Sequence, residues 1–205
     1  MAMRNKIIYS FVIVMIICLM QSCATISMRR ISASAGAQRS SIVGESDSWT
    51  GAFGFQGGLA YNVFDRPLRR ISVQAEANIS MLGANYEDDW GDGPVNGLTR
   101  LTYANLPLVL RYQMDNGFFG EAGIQPGLLL SAKDKLNGES YDYSDWVNKF
   151  DFGIPLGVGY MVNNNFRIGL RAIPGITNIN SGDNNISKDR NLVVAIRGTY
   201  SFGKK

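Results

Sequence analysis

The chain has 205 residues, 45% of them apolar, with 23 Gly, 20 Lys+Arg against 17 Asp+Glu, two Cys and no His. That length allows one domain or two small ones; a mean hydropathy of -0.05 excludes a bundle of membrane helices, and a net charge of +3 is too small to point to nucleic acid. Without His, every mechanism that needs imidazole is excluded: Ser-His-Asp hydrolysis, His-ligated metal and His acid–base work.

Arg4 and Lys6 precede an uncharged apolar run over 7–20. The run is short of the ~20 residues a spanning helix needs, and it has the form of a signal-peptide core behind a cationic start. Small residues at Ser22, Cys23 and Ala24 complete a signal peptide over 1–24. Three fates stay open for it: cleavage after Ala24, a lipoprotein signal with Cys23 as the lipidated residue, or retention as an N-terminal anchor. Ser22 favours lipidation, whereas Met20 and Gln21 fit a lipobox poorly. Cys18 leaves with the apolar run, so an exported chain has no internal disulfide. Its stability then has to come from a lipid environment or a closed sheet.

Beyond residue 30 the pattern becomes alternation with a period of two, the mark of strands with one apolar face. Eight segments carry it: 31–37, 53–63, 71–81, 104–114, 118–132, 150–162, 166–176 and 192–202. In 71–81 the rule is unbroken, with Ile71, Val73, Ala75, Ala77, Ile79 and Met81 against Ser72, Gln74, Glu76, Asn78 and Ser80. Segments of about ten residues suit tilted membrane strands. The connections alternate as well. Those at 64–69, 115–117 and 163–165 are tight, and Asn116-Gly117 is a strong hairpin signal. Those at 39–48, 85–98, 133–149 and 178–190 are long and polar. An eight-stranded antiparallel up-and-down transmembrane β-barrel over 30–205 is expected, with short periplasmic turns, long external loops and both termini periplasmic.

Parity alone does not say which face points outward, and a soluble lipocalin-like barrel would place the apolar set inside. Two features oppose that arrangement. The polar set is rich in Gly and Ser and poor in Lys, which suits a narrow interior that only side chains fill. Aromatic residues Tyr61, Tyr112, Phe118, Tyr160, Phe166 and Tyr200 all have apolar parity beside the short turns, as a periplasmic aromatic girdle requires. Phe53, Phe55, Phe150 and Phe152 would form the opposite belt. Glu76, Arg111, Glu121, Asp151, Arg167, Arg171 and Arg197 then point into the lumen, with Arg111 and Glu121 expected to pair across a short hairpin. Such a set is either an ion path or a plug of ion pairs, and the cost of unpaired buried charge favours the plug.

Other motifs fail on inspection. Asp88, Asp92 and Gly93 imitate the start of a Ca²⁺ loop, but Trp90 offers no side-chain oxygen at the third position and Thr99 stands where a bidentate Glu is needed. The Gly51–Gly57 stretch precedes no helix and lacks the Lys-Ser/Thr of a phosphate cradle. No catalytic, cofactor or metal site is expected. Tyr141, Tyr143 and Trp146, interleaved with Asp142 and Asp145, make the third long loop amphipathic, suited to a partner or to the headgroup layer. The expected partners are outer-membrane lipid and other envelope proteins, not nucleic acid, around a monomeric barrel. A small pore and a lipid-modifying enzyme are the competing readings.

The strand from Tyr103 to Tyr112, with Leu106, Pro107, Leu108, Leu110 and Arg111 in place, resembles the Tyr-x-x-(Ile/Leu)-Pro-Leu-x-Leu-(Lys/Arg)-Tyr strand of PorT-type outer-membrane β-barrel proteins. The stretches 117–123 and 150–160 and the Tyr200-Ser201-Phe202 ending are similar too, so the resemblance spans about 30–205. It implies a small eight-stranded bacterial outer-membrane protein, mostly without enzymatic activity, some of whose relatives assist protein secretion. It carries over no functional residues, because the shared positions look architectural.

Overall fold

The computed structural model describes residues 30–44, 49–64, 70–89, 94–136, 139–179 and 189–203. The signal segment with Cys23, and positions 90–93 of the acidic tip, lie outside the described residues. The strands are β1 (Ile31–Val43), β2 (Trp49–Phe64), β3 (Ile71–Asp89), β4 (Pro94–Asn105), β5 (Leu108–Gln113), β6 (Phe118–Leu136), β7 (Glu139–Asp142), β8 (Phe150–Gly153), β9 (Leu156–Met161), β10 (Phe166–Pro174) and β11 (Arg190–Ser201). A 3-10 turn, Ser144–Trp146, separates β7 from β8.

Every pairing is antiparallel, and the sheet closes on itself. Strand β1 pairs with both β2 and β11, and β2 with β3. Next come β3 with β4 and β5, those two with β6, and β6 with β7, β8 and β9. The ring is completed by β9 with β10 and β10 with β11. Because β4 and β5 are successive parts of one stave, and β7, β8 and β9 parts of another, the eleven segments make an eight-stranded up-and-down barrel.

The breaks within staves have a covalent cause: a prolyl nitrogen has no proton to give to a ladder. Leu106 N–H donates to Pro126 O at 2.9 Å and Ile154 N–H to Pro174 O at 3.0 Å, and neither proline can return the bond. Pro107 and Pro155 are fully buried. Their carbonyls accept from Glu76 N–H at 2.8 Å and Gly123 N–H at 3.0 Å, so the wall stays closed. In the β5–β6 turn Gly117 has φ +90°, a left-handed conformation that glycine adopts without a Cβ penalty.

The strands run further at the long-loop end than the alternation predicts. β3 and β6 each have 19 residues, and β3 pairs with β4 out to Asp89 opposite Pro94. Much of the expected loops 39–48, 85–98 and 133–149 is therefore ladder. Above the membrane the outer face of a strand meets water, while inner residues such as Ala84, Thr99 and Ala132 stay buried. Exposed Arg100, Lys133 and Lys135 accordingly erase the apolar period while backbone pairing continues.

Side-chain exposure settles the direction of the two faces. Leu59, Ile79, Leu108, Leu110, Ile124, Val158, Leu170, Val194 and Ile196 all point outward, Val158 with 63% of its surface uncovered. Gln38, Gln74, Asn78, Ser80 and Asn105 are buried inside. Burial of polar groups beneath an uncovered apolar coat inverts a water-soluble fold and matches a lipid-embedded one. One part of the interior is not polar. Leu82, Leu101, Tyr103, Leu129, Ala132, Ile173 and Val193 pack together toward the long-loop end, joined by Val147 from the β7–β8 connection. Further up, Ile42, Ala84 and Ile179 form a second apolar cluster.

Candidate functional site

The interior of the short-turn half is a charged layer whose register can be followed around the wall. Arg111 on β5 faces Glu121 on β6, Glu121 faces Gly157 on β9, Gly157 faces Arg171 on β10, and Arg171 faces Ala195 on β11. Gly157 leaves the space over which Glu121 and Arg171 meet, since a Cβ there would lie 2.9 Å from Glu121 Oε1. The next row toward the short turns runs from Phe119 through Gly159 and Gly169 to Arg197. The Phe119 ring lies across Gly159, where a Cβ would come within 2.3 Å of it. Above the same ring sits the Arg111 guanidinium, 4.7 Å from the centroid, in cation–π geometry.

Two carboxylates organise the layer. Glu121 Oε2 accepts from Arg111 Nη2 at 2.6 Å and Nε at 3.1 Å, while its Oε1 accepts from Arg171 Nε at 2.8 Å. Glu76 Oε2 accepts from Arg171 Nη1 at 2.9 Å, Arg197 Nη1 at 3.1 Å and Asn78 Nδ2 at 3.0 Å, and its Oε1 from Arg171 Nη2 at 3.0 Å. Arg197 Nη2 also donates to Ser34 Oγ at 3.1 Å. Arg171, only 1% exposed, thus bridges both carboxylates. Ion pairs this buried are sustained by mutual hydrogen bonding rather than by water.

Two of the expected lumen residues stand apart from this chain. Asp151 is half-buried in the upper lumen rather than among the arginines. It accepts from the Thr177 hydroxyl and from Asn191 Nδ2 at 3.0 Å, because β8 sits nearer the long loops than β9 does. Arg167 is inside, 7% exposed, but its Nε and Nη2 have no acceptor in the protein. Of the aromatic set, Tyr112, Phe118, Tyr160, Phe166 and Tyr200 lie exposed on the outer face at the short-turn end, and Tyr61 is half-covered there. Phe118 and Tyr160 meet edge to face at 5.0 Å. At the other end Phe53, Phe55 and Phe150 are exposed, whereas Phe152 is half-buried.

Sequence reasoning overlooked Phe119 and the interior apolar cluster. Their inward parity was available, but a hydrophobic residue facing a lumen read as polar gives no contrast. In the third loop, Trp146 is 77% exposed and Tyr141 53%. Asp142 accepts from Ser144 N–H at 2.9 Å where the 3-10 turn begins. Bonds from the Ser144 hydroxyl and this backbone N–H hold the Asp142 carboxyl below the usual carboxylate range.

The crystal structure of Neisserial surface protein A is similar, at 12% identity and TM-score 0.56, over 83% of this chain and 96% of that one. The attachment invasion locus protein Ail of Yersinia pestis aligns at 15% identity and TM-score 0.47, over 83% of this chain and 97% of that one. OprG, an outer membrane protein of Pseudomonas aeruginosa, aligns at 12% identity and TM-score 0.46, over 83% and 95%. At such identities a likeness shows fold, and here it rests on the first of the three. No curated protein matches the chain by sequence. Residues 25–181 match the family described as outer membrane protein beta-barrel domain. With most of the chain inside that match and an eight-stave barrel coated in apolar side chains, the protein belongs to the outer-membrane β-barrel family and resides in the bacterial outer membrane.

Proposed function

We propose that the protein is a non-enzymatic, non-conducting barrel that presents its long loops to partners outside the cell. In this reading residues 1–24 are a signal peptide, both termini are periplasmic, and the barrel is monomeric in outer-membrane lipid. The observation that carries the reading is the double closure of the lumen. The charged layer fills the short-turn half, and the apolar layer around Leu101, Tyr103 and Val147 fills the other. An ion crossing the barrel would have to break paired charges and then pass a dry constriction, and hydrophobic constrictions close by dewetting. A catalytic role is disfavoured because no His exists to activate a nucleophile and the two carboxylates of the charged layer, Glu76 and Glu121, are committed to arginines.

Exposed Trp146 and Tyr141 beside Asp142 and Asp145 supply the kind of amphipathic surface that envelope proteins engage. The PorT-type resemblance of the Tyr103–Tyr112 region supports a secretion-associated partner. Reconstitution into planar bilayers tests the closure: the bilayer stays silent, and a steady unitary conductance overturns the reading. Proteinase treatment of intact cells tests the orientation, with cleavage expected within 86–98 or 141–149. Cleavage only after the outer membrane is opened would reverse the assigned direction.

A further inference from the structure

We propose that Arg167, Arg111 and Thr199 form a binding site for a small monovalent anion of chloride size inside the short-turn half of the barrel. The charged layer is not neutral: Arg111, Arg167, Arg171 and Arg197 face only Glu76 and Glu121. The surplus is localised. Arg167 directs Nε and Nη2, both buried, at no protein acceptor, and Arg111 has Nη1 in the same condition. Both side chains line one cavity of about 10 Å³, together with Thr199, Phe119, Arg197 and Glu121. Glu121 does not satisfy Arg167: its oxygens accept from Arg111 and Arg171, and neither Arg167 Nε nor Nη2 bonds to it.

Guanidinium does not shed its proton as a buried lysine does, so the charge has to be balanced rather than lost. A cavity of this size holds about one water-sized body (~10–15 Å³), which excludes phosphate, sulfate and carboxylate ligands. Three buried, unpartnered guanidinium nitrogens on two arginines that line that space, with Thr199 in the same lining, describe a halide site. Arg167 is the second residue of β10, beside the 163–165 turn. An anion entering from the short-turn side therefore reaches the cavity without meeting the apolar layer.

The test uses the detergent-solubilised protein at constant ionic strength, with chloride exchanged for gluconate. The unfolding midpoint should rise with chloride, as expected when a ligand binds only the folded state, and Arg167→Gln should abolish that dependence. Should that variant fail to fold, Thr199→Val is the second probe. Loss of one hydroxyl donor should weaken the apparent chloride affinity about three- to tenfold. Crystals grown in bromide should show anomalous density within hydrogen-bonding reach of Arg167 Nη2. Equal midpoints in chloride and gluconate, an unchanged dependence in Thr199→Val, or no bromide in the cavity would each overturn the proposal. A larger stabilisation by inorganic phosphate than by chloride would overturn the size assignment.

Discussion

Leu108→Arg places a charge in the middle of the lipid-facing band. Leu108 is 45% exposed on the outer face, flanked by Ala75 and Ile124. It lies four positions from Tyr112 in the lower girdle and four from Ala104, which is level with Leu128 and Phe150 in the upper belt. At ~3.3 Å per residue and a strand tilt of ~40°, each belt is ~10 Å away along the membrane normal. The substitution should therefore cost the full midplane amount of ~2–4 kcal/mol, roughly a 30- to 700-fold loss in the folding constant. Met114→Arg, on the same face but past the girdle, should cost only ~0–1 kcal/mol. Reversible denaturant unfolding in lipid vesicles measures both. If the apolar face met water instead, both substitutions would fall within ~0.5 kcal/mol of wild type. Equal costs would refute the placement of the membrane.

Arg171→Met removes the bridge between Glu76 and Glu121 and should destabilise by ~3–5 kcal/mol; the same unfolding assay reads it, and a loss under 1 kcal/mol would mean that the ion pairs do not hold the lumen. Gly159→Ala drives a Cβ into the Phe119 ring and should cost ~1–3 kcal/mol. Shortening that ring with Phe119→Ala in the same chain should recover part of the loss, and purely additive effects would argue against the contact. Gly117→Val forces a β-branched residue to φ +90° beside the Tyr160 ring and should cost ~1–3 kcal/mol. A neutral result would show that the β5–β6 turn takes another conformation.

The barrel was legible because lipid and lumen impose opposite chemistry on neighbouring residues. Ile71 to Met81 needs no tertiary information to be read as a strand, and the short turns at 115–117 and 163–165 mark two hairpin pairs, β5 with β6 and β9 with β10. Three things escaped, each for a physical reason. Strand ends above the membrane lose the apolar period because water bathes their outer face, where Arg100, Lys133 and Lys135 stand, so the length of β3 and β6 was hidden. The interior cluster of Leu101, Tyr103 and Ile173 sits where the inward residues turn apolar, and there parity stops separating the faces. The partners of Arg171 were invisible because Glu76 lies 95 positions away, brought into reach only by closure of the ring. Arg111 with Glu121 was predictable, being ten positions apart across one hairpin.

Strand β11 offers the most direct test of the account, since Leu192, Val193, Val194, Ala195 and Ile196 are all apolar and only geometry separates them. Leu192, Val194 and Ile196 are 39%, 51% and 49% exposed on the outside, while Val193 and Ala195 are 4% and 1% exposed within. Spin labels placed singly at 192–196 in lipid vesicles should show collision with dissolved oxygen that alternates with a period of two, high at the even positions and low at the odd ones. A flat profile, or one with its maxima at 193 and 195, would contradict a barrel that wears its apolar residues outward and packs its core within.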